Sequence, residues 1–571
     1  MKIKPLLNIF VLAALATTIP GLKAQDVKIT NGPELANNED INMNRMIDGD
    51  ANSFYCYRVR SKGRGTSFFV EKYDKKTLKP DFSKEISYGE GSVKLEDVLY
   101  ANGAVYIFTR MYDKESDKMT CYYQTVSSAG TVSNSKLPLV SVTSDHYEFI
   151  DFDISMNPAA TKFLVKASHK PNKEADYTTD FTLVNTDGMK TEWTKTIPGR
   201  LFSGRDVSAM ASVFGSSKSN RSENDCLGIN LDDQDNILYG YKDITSAPDE
   251  KVKRWKLKMG FFPAGGNKPN ILELPFDDSF YIKDIAFHKT KASEVVIAGF
   301  LKDITERPGR DLVDIGIFSF TVDLTSMAIK SHPIKIFDNK ILAALESKPN
   351  SGGYYDYKID YIFPIGDAVY FVGEQYSENY FSANAQRTPG STLSMTPNYG
   401  ARVPMGHAHS MSSHWEYMYK DVIVAKLNAS GQFDWVSNAP LRNFVNINYP
   451  HVFKQYFAVA TPNNIYIFNN DHPKNIERYQ KADFEPKDLK DISKPRGSIF
   501  VFSSISTSNG AVKHKLIQAN EEYCFTPIQE RNAAFIPPEE AEIFVPGEKN
   551  EVLVYTEYNG KDRFSRLTIV E

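Results

Sequence analysis

Three of the ten histidines in this chain lie within eight residues of one another, and methionines stand beside them. Imidazole nitrogens and thioether sulfurs are soft, neutral ligands that suit copper, whereas histidines alone also suit zinc or nickel. One hypothesis for the segment is therefore a copper-binding loop. The candidate ligands are Met405, His407, His409, Met411 and His414.

The same segment has a simpler interpretation. It is rich in Ser, Asn, Gly and Pro, and short histidine motifs arise by chance in segments of this composition. Long loops on rigid scaffolds also carry recognition, so the segment could bind a partner without any metal. Trp415, Tyr417 and Tyr419 follow it and could stack on a sugar ring or a peptide. Their alternation favours the plainer interpretation, in which they are alternate residues of the next strand.

Other chemistries receive less support from the sequence. The acidic stretch 232–236 contains oxygen ligands for calcium but lacks the glycine and the distal glutamate of an EF-hand loop, so turn chemistry explains it better. The chain contains no Gly-rich phosphate loop, serine elbow or HExxH motif. The catalytic residues of any activity are therefore unknown. A pair of glycosidase carboxylates stays open, because the separation of carboxylates is a three-dimensional quantity.

The elements that would position these residues follow a repeat. From about residue 90 onward, apolar strands alternate with tight turns, of which Asn102-Gly103, Asp235-Asn236 and Asn463-Asn464 are examples. A second hairpin follows at a fixed interval, since 25 residues separate Val105 from Gly130 and 25 also separate Phe163 from Gly188. Repeated four-stranded antiparallel units that cannot bury both faces alone are typical of a β-propeller.

The repeat predicts an all-β chain with seven or eight four-stranded blades in one domain, 25–571. A blade shared between the last unit and Val27-Lys28-Ile29 would remove an exposed sheet edge. A pair of β-sandwiches explains the strands but not the regular spacing. Long insertions are expected near 203–224, 377–419 and 471–496, and the charged composition of the third favours a solvated surface excursion.

One unit carries a closer resemblance. Residues 421–435 read Asp-Val-Ile-Val-Ala-Lys-Leu-Asn-Ala-Ser-Gly-Gln-Phe-Asp-Trp. This stretch resembles the outer hairpin in the repeat of the secreted-bacterial β-propeller family, and a weaker copy runs from Asp180 to Trp193. The resemblance implies a propeller fold and an exported setting, and it brings no catalytic residues.

The N-terminus predicts export. Lys2 and Lys4 precede an apolar run, 6–16, and a small residue, Ala24, so residues 1–24 are typical of a signal peptide with cleavage before Gln25. The mature chain is expected to have no membrane span and to be periplasmic, at the cell surface or secreted. Lys and Arg number 67 against 71 Asp and Glu, which argues against a nucleic-acid partner.

Four cysteines, Cys56, Cys121, Cys226 and Cys524, allow three disulfide pairings in an exported chain, but the aromatic neighbours of the first two favour buried thiols. The sequence as a whole favours a non-enzymatic binding or scaffold protein of the bacterial envelope, whose partner is an envelope protein or an extracellular glycan or peptide. The alternatives are a propeller hydrolase or lyase acting on a glycan or peptide, and a copper-binding envelope protein. No cofactor other than copper is indicated.

Overall fold

The structure of the 571-residue chain is a computed structural model. The structure describes residues 27–35, 41–60, 67–87, 93–147, 150–199, 201–203, 225–245, 255–276, 280–282, 285–303, 314–338, 355–381, 414–447, 456–481, 488–492, 498–518, 524–525, 544–547, 550–558 and 561–570. These residues form an eight-bladed β-propeller, which confirms the propeller prediction and decides its blade number.

The first four blades follow the order of the chain. Blade 1 contains β2 (Ile41–Asp48), β3 (Ser53–Arg60), β4 (Ser67–Asp74) and β5 (Pro80–Ser87). Blade 2 contains β6 (Lys94–Ala101), β7 (Ala104–Asp113), β8 (Lys118–Ser127) and β9 (Leu137–Thr143). Blade 3 contains β10 (Ile150–Met156), β11 (Lys162–His169), β12 (Thr178–Asn185) and β13 (Lys190–Pro198). Blade 4 contains β14 (Phe202–Ser203), β15 (Asp225–Leu231), β16 (Ile237–Ile244), β17 (Trp255–Phe262) and β18 (Asn270–Leu274).

The later blades carry additional short elements. Blade 5 contains β19 (Phe280–Tyr281), β20 (Ala286–Lys291), β21 (Glu294–Asp303), β22 (Asp314–Asp323), β23 (Ala328–Ser331) and β24 (Ile334–Ile336). Blade 6 contains β25 (Tyr355–Ile365), β26 (Ala368–Phe381), β27 (His414–Leu427), β28 (Phe433–Ala439) and β29 (Asn443–Ile447). Blade 7 contains β30 (Tyr456–Ala460), β31 (Asn464–Asp471), helix α1 (Pro473–Tyr479), β32 (Ile499–Ser506) and β33 (Val512–Gln518). Blade 8 contains β34 (Cys524–Phe525), β35 (Phe544–Pro546), β36 (Glu551–Tyr558), β37 (Lys561–Ile569) and β1 (Val27–Leu35).

Blade 8 closes the ring with strands from both ends of the chain. β1 pairs antiparallel with β37, and the pairs include Val27 with Ile569 and Ile29 with Leu567. Val27 is fully buried there. The prediction that the last unit shares its blade with residues 27–29 is confirmed, and the pairing covers an edge of β37 that would otherwise be open.

The hydrophobic core lies between neighbouring blades. Between blades 1 and 2, for example, Tyr55 and Phe68 pack with Val98 and Ile107. From blade 8 through blade 6, successive blades also contact one another around the ring, through β35, β2, β6, β10, β15, β20 and β25 in that order. Each blade therefore buries its faces against its two neighbours, as expected for a unit that cannot bury them alone.

Turn glycines contribute to this packing between blades. Gly130, Gly431 and Gly510 lie between the third and fourth strands of their blades, with φ of 80°, 72° and 72°. At Gly510 a Cβ atom would stand 2.8 Å from the ring of Trp435 on the outer strand of the preceding blade, and at Gly130 it would stand 3.0 Å from Phe82. Glycine is therefore required twice over, by the positive φ and by the close approach.

Three cysteines have a defined state in the structure. Cys56, Cys121 and Cys226 are free and buried, which agrees with the expectation of buried thiols. Burial raises the pKa of Cys56 and Cys121. Among the helices of the described residues, none is long and apolar enough to cross a membrane.

Candidate functional site

The blade 6 hairpin is longer than its neighbours. β26 and β27 each span 14 residues, and their pairing continues from Val369 with Leu427 to Phe381 with His414. β29 pairs with the first part of β27, from Trp415 to Tyr419. Residues 376–381, 414–419 and 443–447 thus form a three-stranded sheet, named here the blade 6 extension.

The residues predicted from the sequence fall at the blade 6 extension or beyond the described chain. Trp415, Tyr417 and Tyr419 occupy alternate positions of β27. Tyr419 is buried, so this residue behaves as an ordinary strand residue. His414 is the first residue of β27.

The remaining predicted metal ligands, Met405, His407, His409 and Met411, lie outside the described residues, so the metal role stays a prediction. Within the part of the chain that is described, no group of three or more His, Cys, Asp or Glu side chains is placed to hold a metal ion.

A β-bulge lies where the blade 6 extension joins the blade. Glu374 pairs with Val422 and Tyr376 pairs with Tyr419, so Gln375 alone stands opposite Lys420 and Asp421. Gln375, Lys420 and Asp421 are all buried. Bulges of this kind re-aim side chains at the ends of blades and beside functional sites. Here the bulge places two charged residues inside the protein.

Asp421 forms a buried ion pair with Arg442. The Arg442 guanidinium donates to Asp421 Oδ1 at 2.9 Å and to the carbonyl of Leu441 at 2.6 Å. The side chains are 0% and 5% exposed. Burial raises the pKa of Asp421 even though Arg442 favours its charged form. Burial and the neighbouring Arg442 guanidinium together lower the pKa of Lys420 to about 8.

A second buried carboxylate, Asp471, lies at the end of β31. It accepts hydrogen bonds from Asn475 Nδ2 at 2.6 Å, from the Tyr479 hydroxyl at 2.7 Å and from the backbone N–H of His472 at 2.7 Å. Burial outweighs these three donors and raises the pKa of Asp471 to about 6. Asp471 therefore bonds to the N-cap residue and to two side chains of helix α1.

Helix α1 begins and packs by local rules. His472 is its N-cap, accepting from the Lys474 N–H, and Pro473 occupies the first helical position, where its missing N–H costs nothing. The Tyr479 ring stacks on His514 at 4.1 Å between centroids, and His514 Nδ1 lies 2.8 Å from Ser503 Oγ. Burial lowers the pKa of His514 to about 4.

The described residues of 471–496 lie mostly at the surface, and three buried side chains anchor them. Asp471, Asn475 and Leu489 are buried. Asp471 tolerates burial because the cap residue and two side chains of helix α1 donate hydrogen bonds to it. Lys420, Asp421, Arg442, Asp471, Asn475 and Tyr479 are named here the blade 6–7 cluster.

The blade 6–7 cluster connects to the blade 6 extension through the backbone. The side chain of Asn475 donates to the carbonyl of Lys490 and accepts from its N–H, both at 2.9 Å. Two residues further, the Ile492 N–H donates to the carbonyl of Arg442, and the Phe444 N–H donates to the carbonyl of Ile492. The chain at 490–492 thus lies along β29.

The cluster is suited to positioning rather than to reaction. Its carboxylates are buried and hydrogen-bonded to other members of the cluster. A catalytic acid or base instead needs to reach a substrate proton at hydrogen-bond distance. What the geometry provides is a fixed base for the two strands that flank residues 382–413.

The acidic stretch 232–236 is a turn, as interpreted from the sequence. Asp232 Oδ1 accepts from the N–H groups of Gln234 and Asn236, and Asp235 has a φ of 63°. Lys289 donates to Asp232 Oδ2 at 2.8 Å. Turn geometry and an ion pair therefore account for these carboxylates.

The chain matches no family model and no curated protein. Among solved structures it is similar to the β-propeller domain of the trilobed protease from Pyrococcus furiosus, with 9% identity, a TM-score of 0.25, and coverage of 59% of this chain and 95% of that one. It is similar to the acylaminoacyl peptidase of Pyrococcus horikoshii, with 9% identity, a TM-score of 0.31, and coverage of 77% and 60%. It is also similar to the GH93 α-L-arabinofuranosidase of Fusarium graminearum, with 10% identity, a TM-score of 0.28, and coverage of 61% and 93%. Likeness at this level says nothing about the activity of this chain.

Proposed function

We propose that this protein is an exported β-propeller that acts as a binding or scaffold module of the bacterial envelope, and that it binds through residues 382–413 on the blade 6 extension. The observation that carries the proposal is the three-stranded extension itself. The pairing of β26 with β27 runs up to Phe381 and His414, the two residues that flank the segment. A buried ion pair and a helix fix the base of these strands. Rigid strands that present a long connection are the usual arrangement for recognition by a loop.

The exported setting rests on the sequence. Residues 1–24 have the order of charged, apolar and small residues that a signal peptide requires. The stretch 421–435 resembles the repeat of secreted bacterial propellers and forms the outer hairpin of blade 6, from β27 into β28. Both observations support export to the periplasm, the cell surface or the medium.

A matched pair of loop variants tests where binding occurs. In the first variant, residues 382–413 are replaced by Asn-Gly, because a two-residue turn can close the hairpin between the paired residues Phe381 and His414. In the second, residues 304–313, which join β21 to β22 at the equivalent place in blade 5, are replaced in the same way. Both variants should keep the thermal unfolding temperature of the mature chain.

Binding is measured on an array of envelope polysaccharides and peptides. We expect the mature chain and the blade 5 variant to bind the same ligand with the same Kd, and the blade 6 variant to bind it at least about tenfold more weakly, which corresponds to about 1.4 kcal/mol. Equal binding by both variants would show that recognition lies elsewhere on the propeller. Release of a cleaved glycan or peptide during the same incubation would favour the hydrolase or lyase alternative instead.

A further inference from the structure

One buried carboxylate bonds to helix α1, and α1 in turn connects it to the chain at 490–492 and to β29. Asp471, at the end of β31, binds Asn475 and Tyr479 of helix α1 through their side chains. Asn475 in turn holds Lys490 by two hydrogen bonds to its backbone. The following residues lie against β29, where Ile492 bonds to the backbone of Arg442 and Phe444. Release of Asp471 would therefore loosen both helix α1 and the strand that completes the blade 6 extension.

We propose that Asp471 and helix α1 form a latch on the blade 6 extension, and that proton uptake by the Asp471 carboxylate tightens this latch. The carboxylate is 2% exposed and receives three donors. When the latch is open, the Asp471 carboxylate faces water, so its pKa differs between the open and the closed state. The latch would regulate the proposed binding face, but its test needs no ligand, so its failure and the failure of the binding proposal are separate results.

Several titratable groups surround this carboxylate on the elements packed against it. They are Lys420 and Asp421 on β27, Arg442 in the β28–β29 connection, the N-cap His472 and the last helical residue Tyr479 of α1, Lys490 and Asp491 in the chain after α1, and His514 on β33. Burial lowers the pKa of His472 below its ordinary value of 6.5, and because His472 also caps α1, it is the group on the helix that the test replaces.

The direction of the pH effect follows from linkage. The pKa of Asp471 is about 6 in the closed latch, against 3.8 when the carboxylate faces water. A raised pKa stabilises the closed state below that pH, and this stabilisation is lost as the pH rises through 6. Between pH 7.5 and pH 5, the closed state should gain about tenfold over the open state. His472 acts in the opposite direction, because its neutral ring caps α1 and a proton on Nδ1 would break the cap.

Hydrogen exchange measured by mass spectrometry tests the latch in the mature chain. Protection factors, corrected for the intrinsic pH dependence of exchange, are compared at pH 5 and pH 7.5 in the His472→Asn background, since Asn keeps an N-cap but does not titrate. We expect the amides of α1 and of β29 to be about tenfold more protected at pH 5, and to change together. The amides of β22, in blade 5, report global opening and should not follow them.

Two further variants identify the group that titrates. Asp471→Asn should abolish the pH dependence in both elements. Tyr479→Phe removes one donor to the ionised carboxylate, so its transition should move to higher pH while the fold persists. The proposal is overturned if β29 keeps the same protection at both pH values while α1 changes. It is equally overturned if Tyr479→Phe leaves the midpoint where it was.

Discussion

Replacement of Arg442 by Met should be among the most destabilising single changes in blade 6. The guanidinium is the hydrogen-bonding partner of a carboxylate that is 0% exposed. Removing one partner of a buried ion pair costs about 3–5 kcal/mol of unfolding free energy, because the other charge stays buried without compensation. Replacing both partners by apolar groups often costs far less. The double variant Asp421→Leu with Arg442→Met should therefore regain at least about 2 kcal/mol over Arg442→Met alone.

Urea unfolding followed by tryptophan fluorescence, at pH 7.5 and pH 5, measures these free energies. The loss of Arg442 should raise the already elevated pKa of Asp421 further, since the guanidinium favours the charged form. A raised pKa in the folded state gives stability that is present at low pH and lost as the pH rises. The deficit of Arg442→Met should therefore be smaller at pH 5 than at pH 7.5.

Lys256 and Glu273 offer a matched control, because this ion pair has a similar N–O distance, 2.7 Å, but both side chains are 50% exposed. Lys256→Met should cost less than about 1 kcal/mol at either pH. The reasoning fails if Arg442→Met costs as little as Lys256→Met. It also fails if the effects of the two single substitutions in the Asp421–Arg442 pair simply add.

Three other predictions concern closure, packing and metal. Deletion of 27–35 should leave β37 with an open edge, and should therefore lower the thermal unfolding temperature and cause aggregation visible by light scattering. A soluble monomer of unchanged stability would contradict this prediction. Gly510→Ala should cost at least about 1 kcal/mol more than Gly103→Ala in urea unfolding, because both glycines have positive φ but nothing approaches a Cβ at Gly103. If the copper hypothesis holds, His407→Ala with His409→Ala should weaken copper binding at least about tenfold in calorimetry, or about 1.4 kcal/mol, and binding should fall with pH below about 6.5. Equal affinity in wild type and double variant would end that hypothesis.

The architecture is readable from the sequence because its determinants are local. Asn102 and Gly103 both adopt positive φ, 46° and 77°, as a tight hairpin turn with these residues requires. Apolar strands on each side of such turns suffice to predict hairpins, and their regular spacing predicts blades. Closure by residues 27–29 was predicted by a different route, from the cost of an open edge.

The blade 6–7 cluster could not be predicted in the same way. Asp421 and Arg442 lie 21 residues apart, and Tyr479 meets His514 across 35 residues of sequence. Nothing in the composition around Asp471 distinguishes a buried carboxylate from a solvated one, because its tolerance of burial depends on side chains delivered by the folded chain. A charged segment is solvated by default, and Asp471 is an exception within one because the fold of helix α1 brings its donors onto the carboxylate.

Ring closure also fixes an order of events in time. Ser565 on β37 bonds to Asn31 on β1, and 534 residues separate them. At typical rates of synthesis, β37 is made roughly 30 to 100 s after β1. Throughout that interval β1 has no strand to pair with, although blades 1 to 7 can already be packing. The closing step is entropically modest, because the cost of a loop grows only with the logarithm of its length. The delay is therefore the greater hazard, and a chaperone that shields residues 27–35 would raise the yield of folded protein.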